Sequence, residues 1–326
     1  MSTGRAPSAS VAAAPAGPGT VAFVCPRCRA ALSEEERAVL CGGCGARYPR
    51  PGHAYADFAG AEAGFDDWWA QSTVEQDRWL AEEAPREEEY EVGLARRFLM
   101  PLLARLDFRP GERALLSAGC GLAADVDALN DAGFHTFGID CGNRVLRWSA
   151  RRYQARLARA DIRQMPFPEN AFDLVVSLNT IEHIGVIGDT TSVAADYAEQ
   201  RMDALRSLLR VTKPGGYIVL SGLSRTIPFD FGHLQGSRFV RVHSPWEKFL
   251  LSYGDVERLC RATGDVESTQ PLPIRGFFSW TRLRHYVAAR PLLPIVDWLF
   301  GSLPPAVYGS ALCPFWIILA RRRRTR

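Results

Sequence analysis

A small set of sulfurs, acids and histidines carries the chemistry available to this 326-residue chain. Cys25-Pro-Arg-Cys28 and Cys41-Gly-Gly-Cys44 are two C-x-x-C pairs separated by twelve residues. Tetrahedral zinc takes four thiolates, and each C-x-x-C knuckle supplies two of them from one tight turn. Gly42, Gly43 and Gly45 permit the backbone geometry of such knuckles. With sulfur in all four places no position stays open for water, so the expected site is structural. Two redox dithiols are the alternative reading. His53, just beyond, reads as a surface residue. A second group is Gly119, Gly121 and Asp140. The glycines would let a ligand approach the backbone, and a carboxylate at a strand end can accept both hydroxyls of a ribose. His183 has the pKa range of a general base, and a histidine bonded to a neighbouring carbonyl is equally compatible.

These residues need elements to hold them. Residues 114–116 are a short apolar run that reads as a buried strand, directly before the glycines. Leu122, Val126 and Leu129 follow at helical spacing, and residues 134–139 form a second strand ending on Asp140. Strand, glycine turn, helix, strand and acid make a nucleotide-binding half-unit, with free N–H groups expected at the helix start. Gly119-x-Gly121-x-x-Ala124 with an acid about twenty residues on also fits a dinucleotide fingerprint, so the stretch alone leaves a nicotinamide-dependent oxidoreductase open. Upstream, residues 61–106 read as helical. Trp68, Trp69 and Trp79 are expected packing anchors, the acid-rich 82–91 a solvated helix start, and Val92, Leu94, Phe98, Leu99, Leu102, Leu103 and Leu106 a face against the sheet. Residues 142–160 read as an arginine-rich helix with a solvated face.

Further on come Asp161, then Pro166-Phe167 and Phe172-Asp173, a strand at 172–178, the polar run 179–183, and Lys213-Pro214-Gly215-Gly216 leading into a strand that ends at Ser221. In this order and at these spacings, residues 113–221 resemble class I S-adenosylmethionine-dependent methyltransferases of the small-molecule type. The resemblance implies an α/β fold, a doubly wound, mostly parallel seven-stranded sheet of Rossmann-like form. It assigns Ser117, Gly119, Cys120, Gly121, Asp140, Cys141, Asp161, Ile162 and Asn179 to S-adenosylmethionine, with Asp140 on the ribose and Asp161 at the adenine. Asp161 could instead cap the helix that follows it. The family usually opens the glycine loop with an acid. Here Ser117 stands in that place, and a hydroxyl cannot oppose the cofactor's ammonium charge. The third family glycine is Ala123. His183 falls where the family often keeps an acceptor-side polar residue, with Glu182 beside it. Residues 24–50 resemble the zinc ribbon of the Trm112-like family, which often precedes methyltransferase domains, and this implies structural Zn2+.

The resulting domain plan is a disordered leader at 1–20, a zinc ribbon at 21–58, the methyltransferase domain at 61–320, and a basic tail at 321–326. Acceptor-side segments are expected at 224–262 and 274–310, with the last strands at 266–272 and 313–319. His233 and His243 in the first segment read as structural rather than catalytic, while Phe229, Phe231, His233 and Phe239 could line an apolar acceptor pocket. Residues 274–310 are apolar and aromatic with interspersed arginines. They could cap the acceptor cleft or, with the arginine tail, rest on a membrane surface. The net charge of +3 sits largely in that tail, which argues against a nucleic-acid partner and leaves ribosomal or transfer RNA as the secondary acceptor class after a small, apolar or lipid-like molecule. A non-catalytic binding module is the remaining class. Scattered cysteines beyond the first four point to reduced thiols and a cytoplasmic protein.

Overall fold

The computed structural model describes residues 21–59, 72–230, 232–233, 240–277, 291 and 293–324. The leader at 1–20, Trp68 and Trp69, Phe231 and Phe239, and residues 278–290 of the aromatic segment lie outside the described residues.

Three short strands, β1 (Leu32–Glu34), β2 (Ala38–Cys41) and β3 (Arg47–Pro49), pair antiparallel in that order. β4 (Ala56–Asp57) follows, then α1 (Thr73–Glu82), α2 (Ala84–Leu94), one π-helical turn (Ala95–Leu99) and α3 (Met100–Arg105). The next elements are β5 (Ala114–Ala118), α4 (Ala124–Asp131), β6 (His135–Asp140), β7 (Leu157–Arg159), β8 (Phe172–Leu178), α5 (Tyr197–Val211) and β9 (Thr212–Leu223). A two-residue ladder joins β10 (Phe229–Asp230) to β11 (Arg241–Val242). α6 (Tyr253–Ala262), β12 (Val266–Pro271), α7 (Leu293–Gly301), α8 (Pro305–Tyr308) and β13 (Phe315–Arg322) complete the described chain.

The main sheet runs β12-β13-β9-β8-β5-β6-β7-β4, with β13 antiparallel to both its neighbours and the remaining pairs parallel. It has eight strands where seven were expected. The extra one, β4, comes from the segment after the cysteine ribbon and covers the open edge of β7, where unpaired backbone groups would otherwise be exposed. The expected helix at 142–160 is instead a 3-10 segment at Asn143–Ala150, a turn and β7. Arg321 and Arg322, counted with the tail from sequence, continue β13, because their backbone pairs with Tyr217 and Val266.

Buried aromatic rings set the spacing of these layers. Phe167 packs edge-on to Phe172 at 4.8 Å and to Phe137 at 5.9 Å, and Phe23, just before the first cysteine, lies 5.2 Å from Phe167. Burying each such ring contributes roughly 2–3 kcal/mol, so the ribbon is held to the main sheet by core packing as well as by hydrogen bonds. Those bonds run from Val24 N to Pro166 O (2.9 Å) and from Arg29 Nη1 to Met165 O (2.8 Å). At the opposite sheet end, the Asp173 carboxylate accepts from Arg113 Nη1, Ala114 N and Lys213 Nζ. Although burial opposes ionisation, these donors hold its pKa below the usual carboxylate range and clamp β5, β8 and β9 together. The F-D and K-P-G-G motifs therefore meet in one clasp remote from the strand ends that carry the site.

Candidate cofactor site and metal centre

In the ribbon, the two knuckles bring four sulfurs together. Cys25 and Cys44 Sγ are 3.7 Å apart, Cys28 and Cys41 Sγ 3.4 Å, and all four lie within 4.8 Å of one another. A tetrahedral zinc with bonds of about 2.3 Å requires sulfur–sulfur spacings of about 3.8 Å, so the donor set fits that ion. Gly43 N and Cys44 N point at Cys41 Sγ, at 3.3 and 3.4 Å. A side chain at Gly43 would run into Ala30 Cβ at 2.6 Å, which is why this knuckle needs glycine. Tyr48 Oη lies 3.2 Å from Cys25 Sγ. Burial works against a thiolate at Cys25, but the hydrogen bonds from Tyr48 and the backbone outweigh it and bring the pKa down to about 6.

The second constellation sits at the C-terminal ends of β5, β6, β7 and β8. Gly119 and Gly121 have φ of 81° and 54°, conformations that suit glycine and turn the chain sharply off β5. Thr180 presses against Gly119 so closely that a Cβ there would lie 2.3 Å from Thr180 Oγ1. Trp148, fully buried, donates from Nε1 to Gly121 O at 2.9 Å and fixes the bend from below. Asp140, closing β6, accepts from Gly121 N with Oδ2 and from Gly142 N with Oδ1, both at 2.8 Å. Each oxygen keeps a further lone pair for a diol. Ala123 also has positive φ, 58°, and this explains the glycine that the family keeps at that place.

The helix start is not open, contrary to the expectation from sequence. Glu91, from α2, accepts from Leu122 N at 2.9 Å and from Ala124 N at 2.8 Å. Asp125, in the first turn of α4, accepts from the Ser117 hydroxyl at 2.8 Å. Burial pushes the Asp125 carboxyl up to about 6, and burial together with Asp125 raises Glu91 well above the ordinary carboxylate range. The missing acid of the glycine loop is thus supplied in space by Asp125, with Ser117 as its hydrogen-bond partner. The acid run 82–91 is not simply solvated. Glu87 pairs with Arg144 (2.8 Å), and Glu88 with Arg147 (2.9 Å) and Arg151 (2.6 Å), so α2 is strapped over the site by arginines of the 3-10 segment and of the residue that follows it. Trp79 is buried against Ala84 and Leu122, as a packing anchor should be.

The other assigned residues divide. Asn179, at φ 50°, hydrogen-bonds the Tyr90 hydroxyl and receives Ser221 Oγ at 3.4 Å, so it faces α2 across the end of β8. Asp161 lies on the neighbouring strand end, since Asp140 pairs with Arg159 in register. Its carboxylate N-caps the next turn through Arg163 N (2.8 Å) and holds the Arg163 guanidinium (2.6 Å). The Cys120 thiol and the Ile162 side chain turn into the core, the former among Val126, Trp148 and Leu157, so a cofactor would meet only their backbone. Cys141 is half-buried beside Arg163. His183 closes a 3-10 turn after β8. Burial, then His233, Arg144 and Arg201, hold its imidazole neutral, with the pKa pushed down to about 3. Sequence reasoning missed Tyr90, Glu91 and Asp125; nothing in an acid-rich helix marks which carboxylate folds back onto a loop thirty residues away.

Residues 116–220 match a protein family described as a methyltransferase domain. The chain is 30% identical over 143 residues to a demethylmenaquinone methyltransferase of Geobacillus kaustophilus, covering 41% of this chain and 54% of that protein. It is 27% identical over 213 residues to a malonyl-[acyl-carrier protein] O-methyltransferase of Serratia marcescens, covering 58% of this chain and 78% of that protein. It spans only about half the length of the Geobacillus relative. Among solved structures, the complex of the Haloferax volcanii Trm112 methyltransferase activator with a methyltransferase aligns at a TM-score of 0.47 and 17% identity, over 77% of this chain and 96% of that one. The resemblance read from the sequence to class I methyltransferases, with their mostly parallel sheet, is borne out.

Proposed function

We propose that this chain, which carries a class I methyltransferase domain, transfers a methyl group from S-adenosylmethionine to a small acceptor that is apolar or lipid-like. The observation that carries the reading is the carboxylate ring around the glycine bend. Glu91 occupies the helix-start N–H groups that a dinucleotide would need for its pyrophosphate, and Asp125 and Asp140 add two more acids. Such a site repels a diphosphate and favours a cationic ligand bearing sulfonium and ammonium groups. The nicotinamide reading loses its anion site by the same geometry.

When bound, the cofactor supplies an already activated methyl group. Asp140 would hold the ribose diol, Asp161 or the backbone beside it the adenine edge, and Asn179 with Tyr90 the methionine end. Asp125, ionised above about pH 6, would balance the positive charge there, and a bound cation would draw Glu91 toward its charged form. Alignment and exclusion of water are what the protein adds. The neutral His183 lines the acceptor side, where a pKa near 3 makes it a weak base at neutral pH and suits it to orienting an acceptor. On α7, Ile295, Trp298 and Leu299 are exposed, which supports an apolar acceptor or a lipid surface as the source of one. No helix among the described residues is long and apolar enough to cross a membrane.

In the ribbon, Cys25, Cys28, Cys41 and Cys44 would hold a structural zinc. We place the protein in a reducing, cytoplasmic setting that keeps its thiols available. RNA is the second acceptor class. Arg29, Arg163, Arg206 and Arg210 line one groove between ribbon and domain; Asp203 and Asp161 already pair with Arg206 and Arg163, and the remaining positive excess supports an anionic partner there. Isothermal titration with S-adenosylhomocysteine and with NAD tests the cofactor. Micromolar binding of the first and none of the second is expected, and the reverse result removes the proposal. Radiolabelled methyl transfer to fractionated lipid, small-molecule and RNA extracts then separates the acceptor classes.

A further inference from the structure

Glu182, His183 and His233 form a second cluster beyond the cofactor site. Glu182 is 1% exposed, yet neither carboxylate oxygen has a hydrogen-bond partner. An unsatisfied buried carboxylate is costly unless something positive meets it. Arg201, close by, does not. It spends its donors on the carbonyls of Glu182 (2.8 Å), Ile184 (3.2 Å), Lys248 (2.9 Å) and Phe249 (2.8 Å). Facing the carboxylate are two imidazoles whose Nε2 atoms stand 3.3 Å apart. One ligand atom from each of the three residues lies within 4.8 Å of the others.

We propose that Glu182, His183 and His233 bind a divalent transition-metal cation of the zinc class through two imidazole Nε2 atoms and one carboxylate. Two nitrogens on one zinc, at bonds of about 2.0–2.1 Å and tetrahedral angles, stand about 3.3–3.4 Å apart, which is the spacing found here. His233 is already oriented for the task. Asp230 Oδ2 accepts from its Nδ1 at 3.0 Å and is itself held by Arg241 Nη2 at 2.7 Å. That fixes the proton on Nδ1 and leaves the Nε2 lone pair pointing at His183, the carboxylate–histidine arrangement that commonly stands behind a metal-bound imidazole. Phe249 packs edge-on to both rings, 4.7 Å from His233 and 5.5 Å from His183, and limits their rotation. Three protein donors leave a position open for an oxygen ligand. Glu182 and His183 follow Asn179 by three and four residues, just past the end of β8 where the acceptor is proposed to bind, and a bound cation there would polarise an acceptor hydroxyl or carbonyl oxygen.

The test is cobalt(II) titration of the full-length protein, with metal counted after desalting and the visible spectrum recorded. A cobalt in the ribbon shows intense thiolate charge-transfer bands; one held by nitrogen and oxygen shows ligand-field bands without them. The wild type is expected to bind one equivalent of the second kind. His233→Ala and Glu182→Gln are expected to weaken it at least tenfold while the ribbon's signal is unchanged. His233 is partly buried on a loop outside the main sheet, and circular dichroism checks that its variant folds. Absence of the thiolate-free signal in the wild type, or an undiminished one in folded His233→Ala, overturns the site and leaves the histidines as a hydrogen-bonded pair. Neither result bears on S-adenosylhomocysteine binding, which is measured separately.

Discussion

The ribbon and the glycine bend are both built on tight glycine turns, yet they are completed in different ways. The ribbon's ligands lie in two knuckles, and Cys28 and Cys41 meet across thirteen positions of chain. The glycine bend is completed by Glu91, 31 and 33 positions from the backbone groups it caps. The first site is local and needs only an ion to close it. The second is a meeting of elements, and its electrostatics belong to the folded domain rather than to the motif. A motif therefore predicts a ligand well when the motif contains the whole donor set, and poorly when a distant side chain can occupy the groups it offers.

The largest effect should come from the ribbon. Structural zinc contributes on the order of 10 kcal/mol to the folding of small cysteine domains, so Cys41→Ser should release the metal and unfold residues 21–58. Metal analysis and limited proteolysis would show it. A native protein without zinc would break the contrast at its first term. At the bend, Asp140→Ala should weaken S-adenosylhomocysteine at least a hundredfold, about 3 kcal/mol, by calorimetry. Unchanged affinity would move the ribose elsewhere.

Asp125→Asn sharpens the comparison. The folded carboxyl titrates at about 6, above its ordinary 3.8, so its charged form is disfavoured in the fold. The stability it contributes is present below about pH 4 and is lost as pH rises through 6. Replacing it with asparagine should stabilise the apoprotein at pH 7.5 by on the order of 1–3 kcal/mol, with little effect at pH 4. The same variant should bind the cofactor more weakly and lose the rise in affinity through pH 6. Denaturant melts at the two pH values and titrations across pH 5–7.5 read both changes; a destabilised variant at pH 7.5 would contradict the assigned burial cost. The smallest effect is Ala123→Gly. A left-handed alanine costs about 1 kcal/mol, so this change should raise stability by about that much in the same melts.

Much of the fold could be read from residue patterns. The β8 strand falls on residues 172–178 as expected, and Gly119, Gly121 and Asp140 make the bend they implied. The arginine-rich 142–160 misled, because its apparent helical run is a surface strap whose arginines answer Glu87 and Glu88 rather than water. Ser117 looked like a lost charge for the same reason. Its partner Asp125 lies eight residues on, within reach only once α4 has formed.

What the sequence settled alone was local. Glycine placement, alternating apolar runs and cysteine spacing act over a few bonds, and they determine turns, strands and the four-sulfur cluster without help. Tertiary structure decided which acids surround the bend, that β4 closes the sheet edge, and that His183 and His233, fifty positions apart, come into contact. Burial and through-space charge set those outcomes, and both depend on what the rest of the chain brings near.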